Sequence, residues 1–319
     1  MFRLVFNMNN QQLQASFIRY KGNTFPMLLN PLRLIEMYCQ VDDFVASFER
    51  YIGTSLIDSV SESPHSVNEP CLSHSEIMTI EIMYHLSGYK CFEYYYHQVV
   101  EAGCLRAYFP KAPSYSWFVQ LKPRILPLMV MYLQCCRLGM LCGLYYADST
   151  TIKACNNRRI HSNKVFKGLA ERGKTSTGWF FGFKLFLVVN AFGEIVKVMF
   201  TKGNVADNNI GTMLKLFEKL RGLAFADKGF INQKAFDSLF KNGLKLVTGI
   251  KSNMKNKLMP MNHKLLLKKR GMIESVNDIL KTVCDIEHTR HRSPINAVLN
   301  VFAGLCAYTF LERLPSIFN

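Results

Sequence analysis

Two short apolar segments of the chain each end in an aspartate, and a glutamate follows in a segment with helical spacing. The first segment, Cys142–Asp148, carries no charge before its last residue, and Leu223–Asp227 has the same form. Such runs are typical of strands buried on both faces. A carboxylate at the C-terminal end of a strand lies where open α/β sheets bind ligands. The glutamate is Glu274.

Asp148, Asp227 and Glu274 would supply only oxygen ligands, which suit the hard cations Mg²⁺ and Mn²⁺. Two such ions about 4 Å apart can activate a water or a 3′-hydroxyl and stabilise the leaving oxygen at phosphorus. Each aspartate alone is a weak signal, because a strand-end Asp is commonly a turn residue or a helix N-cap. The pattern therefore indicates phosphoryl transfer only if the fold brings the three side chains together.

The positive charge of the chain is concentrated in the part that carries these carboxylates. Of 319 residues with a net charge of +16, residues 1–140 contain 11 Lys or Arg and 11 Asp or Glu. Residues 141–319 contain 28 against 12. A basic surface around an acidic centre is typical of proteins that bind a polyanion. A basic protein kept soluble by its charge is the alternative that composition leaves open.

Arg270, Glu274 and Lys281 stand at i, i+4 and i+11 and would share one face of a helix. They are either a surface salt bridge worth at most a few tenths of a kcal/mol, or a metal ligand between two phosphate-binding cations. A basic run near this helix is predicted to follow the DNA backbone rather than to form a solvated face. Its members are Lys251, Lys255, Lys257, Lys264, Lys268, Lys269 and Arg270.

Helical patterns dominate residues 27–140, and strand patterns begin at residue 141. The predicted helices of the first part are Leu32–Tyr51, one that runs from a capping box at Ser73 and Glu76 to Leu86, Cys91–Ala102, and a Pro-kinked helix from Pro113 to about Leu138. The second part is predicted to contain strands Cys142–Asp148, Trp179–Asn190, Glu194–Thr201, Leu223–Asp227 and Lys245–Ile250, and helices Asn208–Arg221, Gln233–Lys241 and about Lys268–Lys281. Residues 1–26 are expected to be peripheral, and Ser59–Pro70 a linker.

Trp179 and Asp207, in the second part of the chain, each have a structural and a functional interpretation. Trp179 is expected in the core of its hairpin rather than as a stacking group, and Asp207 is expected to cap a helix rather than to assist a metal. Lys228 and Gly229 form either a plain β-turn or a turn that approaches a phosphate closely.

The remaining composition narrows the class of protein. Ten cysteines without a CxxC pair favour reduced thiols in the cytoplasm. Cys284, His288 and His291 share a helical face, but a zinc site is disfavoured because no fourth ligand is obvious. The apolar runs fall short of the roughly 18 residues of a membrane span, and the N-terminus is not that of a signal peptide.

The segment Arg270–Lys281 resembles the R-x3-E-x6-K part of the Tyr-x2-Arg-x3-Glu-x6-Lys signature of DDE transposases from bacterial insertion sequences. YYADST around Asp148 and FADKGF around Asp227 are similar to the first two acidic blocks of that family. The resemblance covers about residues 140–319 well and 32–139 more loosely. Leu267 occupies the position of the family's tyrosine, and the 46 residues between Asp227 and Glu274 leave no room for a large inserted β-domain.

The resemblance implies an α/β fold with a ribonuclease-H-like mixed sheet flanked by helices in residues 141–319. An all-helical N-terminal domain, residues 27–140, would precede it and contribute to DNA-end binding. Asp148, Asp227 and Glu274 would be the catalytic ligands of two Mg²⁺ or Mn²⁺ ions. The DNA-binding residues would be Arg270, Lys281, Lys228, Lys268, Lys269, Arg158 and Arg159.

The implied function is a DDE transposase that cleaves transposon ends and transfers strands into target DNA. Its partners would be DNA, as terminal inverted repeats and target, and further copies of the chain in a homodimer or larger assembly, with no membrane. The expected location is the bacterial cytoplasm, on the nucleoid when DNA is bound. The alternatives are a metal-dependent nuclease without strand transfer and a domesticated, catalytically inactive DNA-binding protein.

Overall fold

The structure is a computed structural model that describes residues 30–52, 71–175, 178–251, 254, 258–288 and 291–318. The predicted peripheral segment 1–26 and the predicted linker Ser59–Pro70 lie outside the described residues. The chain divides into two compact units between Tyr132 and Leu133. Within the described ranges, no helix combines the length and the apolar character needed to cross a bilayer.

The described elements of the first unit are helices and helical turns. They are α1 (Pro31–Ile52), α2 (His74–Leu86), α3 (Phe92–Tyr95) with a π-helical continuation (Tyr96–Glu101), a 3-10 turn (Cys104–Ala107), α4 (Tyr115–Leu121), a second 3-10 turn (Lys122–Ile125) and α5 (Leu126–Tyr132). The predicted capping box of α2 is confirmed, because Ser73 Oγ accepts from the Glu76 amide at 3.2 Å and Glu76 Oε2 accepts from the Ser73 amide at 2.7 Å. The predicted Pro-kinked helix is interrupted at Pro123, where α4 gives way to a 3-10 turn.

The second unit alternates strands and helices. Its strands are β1 (Leu144–Cys155), β2 (Glu171–Thr175), β3 (Gly178–Asn190), β4 (Ile195–Lys202), β5 (Gly222–Ala226) and β6 (Leu244–Thr248). Its helices are α6 (Ile210–Leu216), α7 (Gln233–Lys241), α8 (Met261–Lys268), α9 (Gly271–Thr282) and α10 (Pro294–Tyr308), with a π-helical turn (Leu133–Arg137) and 3-10 turns (Asn157–Arg159 and Lys228–Phe230).

The six strands form one mixed sheet. β1 lies between β3, to which it is antiparallel, and β5, to which it is parallel. β6 continues the parallel part beyond β5, while β2 and β4 both pair antiparallel with β3. The predicted hairpin is therefore confirmed as β3–β4. β2 was not predicted, because its sequence ERGKT lacks an apolar alternation.

β1 is longer than its apolar pattern indicates. The prediction that it ends at Asp148 is wrong, since its pairing with β3 continues from Tyr145 opposite Asn190 to Cys155 opposite Phe181. The polar residues after Asp148 remain in the strand because their backbone groups bond to β3, whatever their side chains are.

The two faces of the sheet are covered by different helices. Tyr145, Ala147, Ala224 and Ala226 face a core that also contains residues of α6 and α7. Because side chains alternate along a strand, the intervening Tyr146 points the other way, and its hydroxyl donates to the Leu266 carbonyl of α8 at 3.2 Å. The helix predicted around Lys268–Lys281 is in fact the end of α8 and all but the last residue of α9, which packs against β1.

Candidate active site

Asp148 and Asp227 occupy equivalent positions on neighbouring parallel strands. The last register pair of β1 and β5 is Ala147 opposite Ala226, so the two aspartates follow side by side, with the strands about 4.8 Å apart. Ala147 and Ala226 face the α6 and α7 core. The aspartates, one residue further on, therefore lie on the side of the sheet that α8 and α9 cover.

The surroundings of Asp148 make its ionisation costly. Burial raises the pKa of Asp148 to about 6, and the negative charges of Asp227 and Asp207 act in the same direction. The Ser149 amide and the Arg270 guanidinium lower that pKa but do not cancel the effect of burial. A half-buried carboxylate with other carboxylates beside it favours binding of a cation.

Asn277 is a site residue that the sequence did not point to. Its Nδ2 donates to Asp148 Oδ2 at 2.8 Å, while its Oδ1 is buried without a hydrogen-bond partner among the described residues. The side chain is 9% exposed and lies on the buried face of α9 with Ile273 and Val276. A polar residue on that otherwise apolar stripe was the signal that could have found it.

Glu274 lies on α9, three residues before Asn277, and so about one helical turn away from it. Its side chain is 60% exposed and accepts a hydrogen bond from Arg270 Nη2 at 2.5 Å. Arg270 is the N-cap residue of α9, and its charge also acts on Asp148. The guanidinium thus lies near both the Glu274 and the Asp148 carboxylates. The Arg270–Glu274 salt bridge, one of the two interpretations that the spacing allowed, is present in the structure.

Within the described ranges, no three His, Cys, Asp or Glu side chains lie close enough together to hold a metal ion. The structure places Asp148 and Asp227 side by side, whereas the Glu274 carboxylate forms an ion pair with Arg270. The oxygens of the two aspartates fit a hard divalent cation, as does Asn277 Oδ1, which has no hydrogen-bond partner in the described part of the chain. The three-carboxylate centre stays a prediction.

Asp207 joins the network around the aspartate pair. Its Oδ1 accepts from Ser149 Oγ at 2.8 Å and from Lys184 Nζ at 2.9 Å. A Cβ placed on Gly229 would lie 3.1 Å from Asp207 Oδ2, so Asp207 also adjoins the turn after Asp227. The prediction that Asp207 caps a helix is wrong, because the N-cap of α6 is Asn209.

The missed signal for this network was Lys184, the one cation within the apolar strand β3. It is 7% exposed, and a buried ammonium requires an acid nearby because its desolvation is otherwise uncompensated. Asp207 meets that requirement, 23 residues further along the chain.

The predicted DNA-binding cations differ in their environments. Lys228, Lys268, Arg158 and Arg159 are exposed. Lys269 donates to the Ile317 carbonyl at 2.9 Å, and Lys281 lies 3.0 Å from Glu287 Oε2, so both have intramolecular partners. In the wider basic run, Lys255 and Lys257 lie outside the described residues.

Trp179 lies at the surface of β3, so the prediction that it belongs to the hairpin core is wrong. Its side chain is 62% exposed, whereas the next two residues, Phe180 and Phe181, are buried. Trp179 is the second residue of β3, at the end of the strand that pairs with the edge strand β2, and its indole is exposed there.

Comparison with known proteins gives two similarities. A solved structure described as a cryo-EM structure of piggyBac transposase synaptic complex with hairpin DNA shares 9% identity, with a TM-score of 0.45. The alignment covers 89% of this chain and 73% of that one. No curated protein sequence matches. A sequence profile of the family described as Transposase DDE domain matches residues 138–294, so the segment that carries both aspartates, Asn277 and Glu274 is similar to the DDE domain of transposases.

Proposed function

We propose that the chain is a DDE transposase of a bacterial insertion sequence, with a ribonuclease-H-like catalytic domain. The single observation that carries the proposal is the placement of Asp148 and Asp227 side by side on adjacent parallel strands. The similarity of residues 138–294 to the Transposase DDE domain supports it, as does the mixed sheet with helices on both faces.

Asp148 and Asp227 would hold divalent metal, with Glu274 completing the ligand set once it leaves Arg270. Bound Mg²⁺ or Mn²⁺, as a pair of ions, would supply activation of the attacking oxygen and stabilisation of the leaving oxygen. Asn277 would hold Asp148 in one orientation through its 2.8 Å hydrogen bond. A carboxylate has about four lone-pair sites, so this bond and the one from the Ser149 amide leave others for a metal.

Arg270 would have two partners in turn. In the DNA-free chain it pairs with Glu274, and an ion pair this exposed contributes little stability. A DNA phosphate is a strong competing partner, because a guanidinium can bind it bidentately. Phosphate binding by Arg270 would therefore leave Glu274 free to turn toward the aspartates.

The exposed cations would bind the DNA backbone. Lys228 directly follows Asp227 in the chain, and Lys268 ends α8 two residues before Arg270. Arg158 and Arg159 lie on the 3-10 turn after β1. Their contacts would be to phosphates, which makes affinity strongly dependent on salt rather than on sequence.

The DNA that flanks the reading frame supplies the substrate for the test. A labelled fragment that carries any short inverted repeats found there is incubated with the purified chain, in Mg²⁺ or in EDTA, together with a target plasmid. We expect Mg²⁺-dependent cleavage at the repeat ends and joined products with the plasmid. The Asp227→Asn variant should cleave at least about 100-fold more slowly, since loss of even an outer-shell partner costs 10- to 100-fold.

Asp237→Asn is the matched control, because Asp237 is an exposed aspartate of α7 that accepts from Gln233 within its own helix. Cleaved but never joined ends would favour a nuclease without strand transfer. Sequence-specific binding without cleavage would favour an inactive DNA-binding protein. An Asp227→Asn variant as fast as the parent would contradict the assignment of that ligand.

The transposase would work as a homodimer or larger assembly on paired DNA ends, in the cytoplasm and on the nucleoid. Light scattering of the chain with and without end-containing DNA measures this. We expect at least two copies in each DNA complex, and a strictly monomeric complex would contradict the assembly.

A further inference from the structure

Trp179 is exposed beside one cation, Lys174, and close to the turn that carries two more, Arg158 and Arg159. Lys174 stands directly opposite it in the β2–β3 pair, and directly opposed residues point to the same face. The Lys174 Nζ lies 5.7 Å from the centroid of the indole ring. Asn157 Nδ2 donates to the Trp179 carbonyl at 2.7 Å, which ties the turn that carries Arg158 and Arg159 to this end of β3.

We call this set the Trp179 patch; it consists of Trp179, Lys174, Arg158 and Arg159. All four side chains are exposed. The acid of β2, Glu171, has its carboxylate 3.6 Å from Lys202 Nζ, and so has a cation of its own. The patch therefore offers a flat aromatic face within a positive field.

Phosphates would pair with the three cations, but they would not stack on the indole ring. A base would, because every base has a π-face that stacks on an aromatic ring. Inside a duplex the bases are paired and stacked on neighbouring pairs, so an unpaired base has far more of its π-face available for stacking. We infer that the Trp179 patch binds DNA at an unpaired base, which stacks on Trp179 while Lys174, Arg158 and Arg159 contact the adjoining phosphates.

The charge disfavours a second copy of the chain as the occupant. Each copy carries a net charge of +16, and apposed patches would bring like charges together. The inference rests on the proposed function in one respect, since cleavage of strands is what would supply unpaired bases. The binding itself requires no catalysis, and it can be measured without metal.

Intrinsic fluorescence isolates this residue, because the chain has only two tryptophans. In the full-length Trp117→Phe protein, Trp179 is the one tryptophan, and excitation at the red edge of the absorption band selects it over the 14 tyrosines. The protein is titrated in EDTA with oligothymidine, with a blunt duplex and with the same duplex carrying a 3′ overhang. We expect strong quenching by the oligothymidine and by the overhang duplex, and little by the blunt duplex.

Affinity separates stacking from charge. Trp179→Ala should weaken binding of the overhang duplex about tenfold and leave the blunt duplex within about twofold. Trp179→Phe should restore most of the lost affinity. Arg158→Gln with Arg159→Gln should weaken all three DNAs and lower the salt dependence. The control Phe192→Ala removes another exposed aromatic, at the β3–β4 turn, and should change nothing.

Two results would overturn the inference. One is equal quenching by blunt and overhang DNA, and the other is unchanged affinity of Trp179→Ala for the overhang duplex. Either would leave the proposed function standing, provided that duplex DNA still binds. Failure to bind any of the three DNAs would contradict the proposed function as well as the inference.

Discussion

Asn277 Nδ2 donates a 2.8 Å hydrogen bond to Asp148 Oδ2, which lies 129 residues earlier in the chain. This bond joins α9 to β1 at the position where the two strand-end aspartates meet. It also orients one carboxylate of the pair from a buried and otherwise apolar helix face. The relation makes α9 part of the aspartate site even though Glu274 pairs with Arg270.

Asn277→Leu should leave the chain folded and impair the site. Leucine fills a similar volume but cannot hold Asp148, so Mn²⁺ affinity and the cleavage rate should both fall about 10- to 100-fold. Calorimetric titration with Mn²⁺ measures the first effect without DNA. The control is Asp278→Asn, the exposed neighbour on α9. Parent-like Mn²⁺ affinity in the leucine variant would show that the hydrogen bond does not orient the ligand.

The stability of the metal-free protein should fall as pH rises from about 4 to about 6. The pKa of Asp148 is raised from 3.8 to about 6, mainly by burial. Between these values the unfolded chain has lost a proton that the folded state keeps, so rising pH favours unfolding. The decrease is at most about 3 kcal/mol, and it is complete above the folded pKa.

Asp148→Asn should remove this contribution. Urea denaturation in EDTA at pH 4.5 and pH 7.5 measures it as the difference between parent and variant, with Asp237→Asn as the control. We expect the variant to gain more stability relative to the parent at pH 7.5 than at pH 4.5. An equal difference at both pH values would show that Asp148 titrates normally in the folded chain.

Lys184→Met should destabilise the second unit because it leaves Asp207 without its buried ammonium partner. The expected loss is about 1–3 kcal/mol, and Asp207→Asn in the same chain should recover part of it. Denaturant unfolding of the four variants of this cycle gives the coupling energy. The control Lys202→Met breaks the 3.6 Å surface pair with Glu171 and should cost less than about 0.5 kcal/mol. A coupling energy near zero would refute the role of the pair.

Lys122→Met should destabilise the first unit more strongly. Lys122 Nζ lies 2.9 Å from Glu81 Oε1 and over the Phe92 ring, and the Glu81 side chain is 1% exposed. Burial raises the pKa of Glu81, and the Lys122 charge lowers it. Removing the cation leaves an uncompensated buried acid, at a cost of about 3–5 kcal/mol.

The double variant Glu81→Gln with Lys122→Met should recover most of that loss, because no charge remains buried. In a Trp179→Phe background, Trp117 fluorescence reports unfolding of this unit. Lys111→Met, a change at an exposed lysine, is the control. A single Lys122→Met variant as stable as the parent would mean that Glu81 is neutral in the folded chain.

The sequence predicted most elements of the second unit because their local patterns survive in the fold. α7 has its predicted bounds, and β3, β4, β5 and β6 differ from theirs by at most two residues at either end. Local sequence patterns failed to predict elements that depend on tertiary contacts. β2 has no apolar alternation, and β1 continues past Asp148 only because β3 supplies its hydrogen bonds.

The features of the candidate site also divide into those that the sequence predicts and those that depend on tertiary contacts. The sequence by itself determined that two aspartates end apolar runs, that a basic helix carries Glu274, and that excess positive charge surrounds them, since these depend only on residue types and spacing. Only the tertiary structure decided that Asp148 and Asp227 are adjacent and that Asn277 donates a hydrogen bond to Asp148. It also decided that Asp207 pairs with the buried Lys184 and that Trp179 faces solvent. Each of these depends on the register between strands or on which face of a helix packs against the sheet. Contacts between residues distant in the chain determine both.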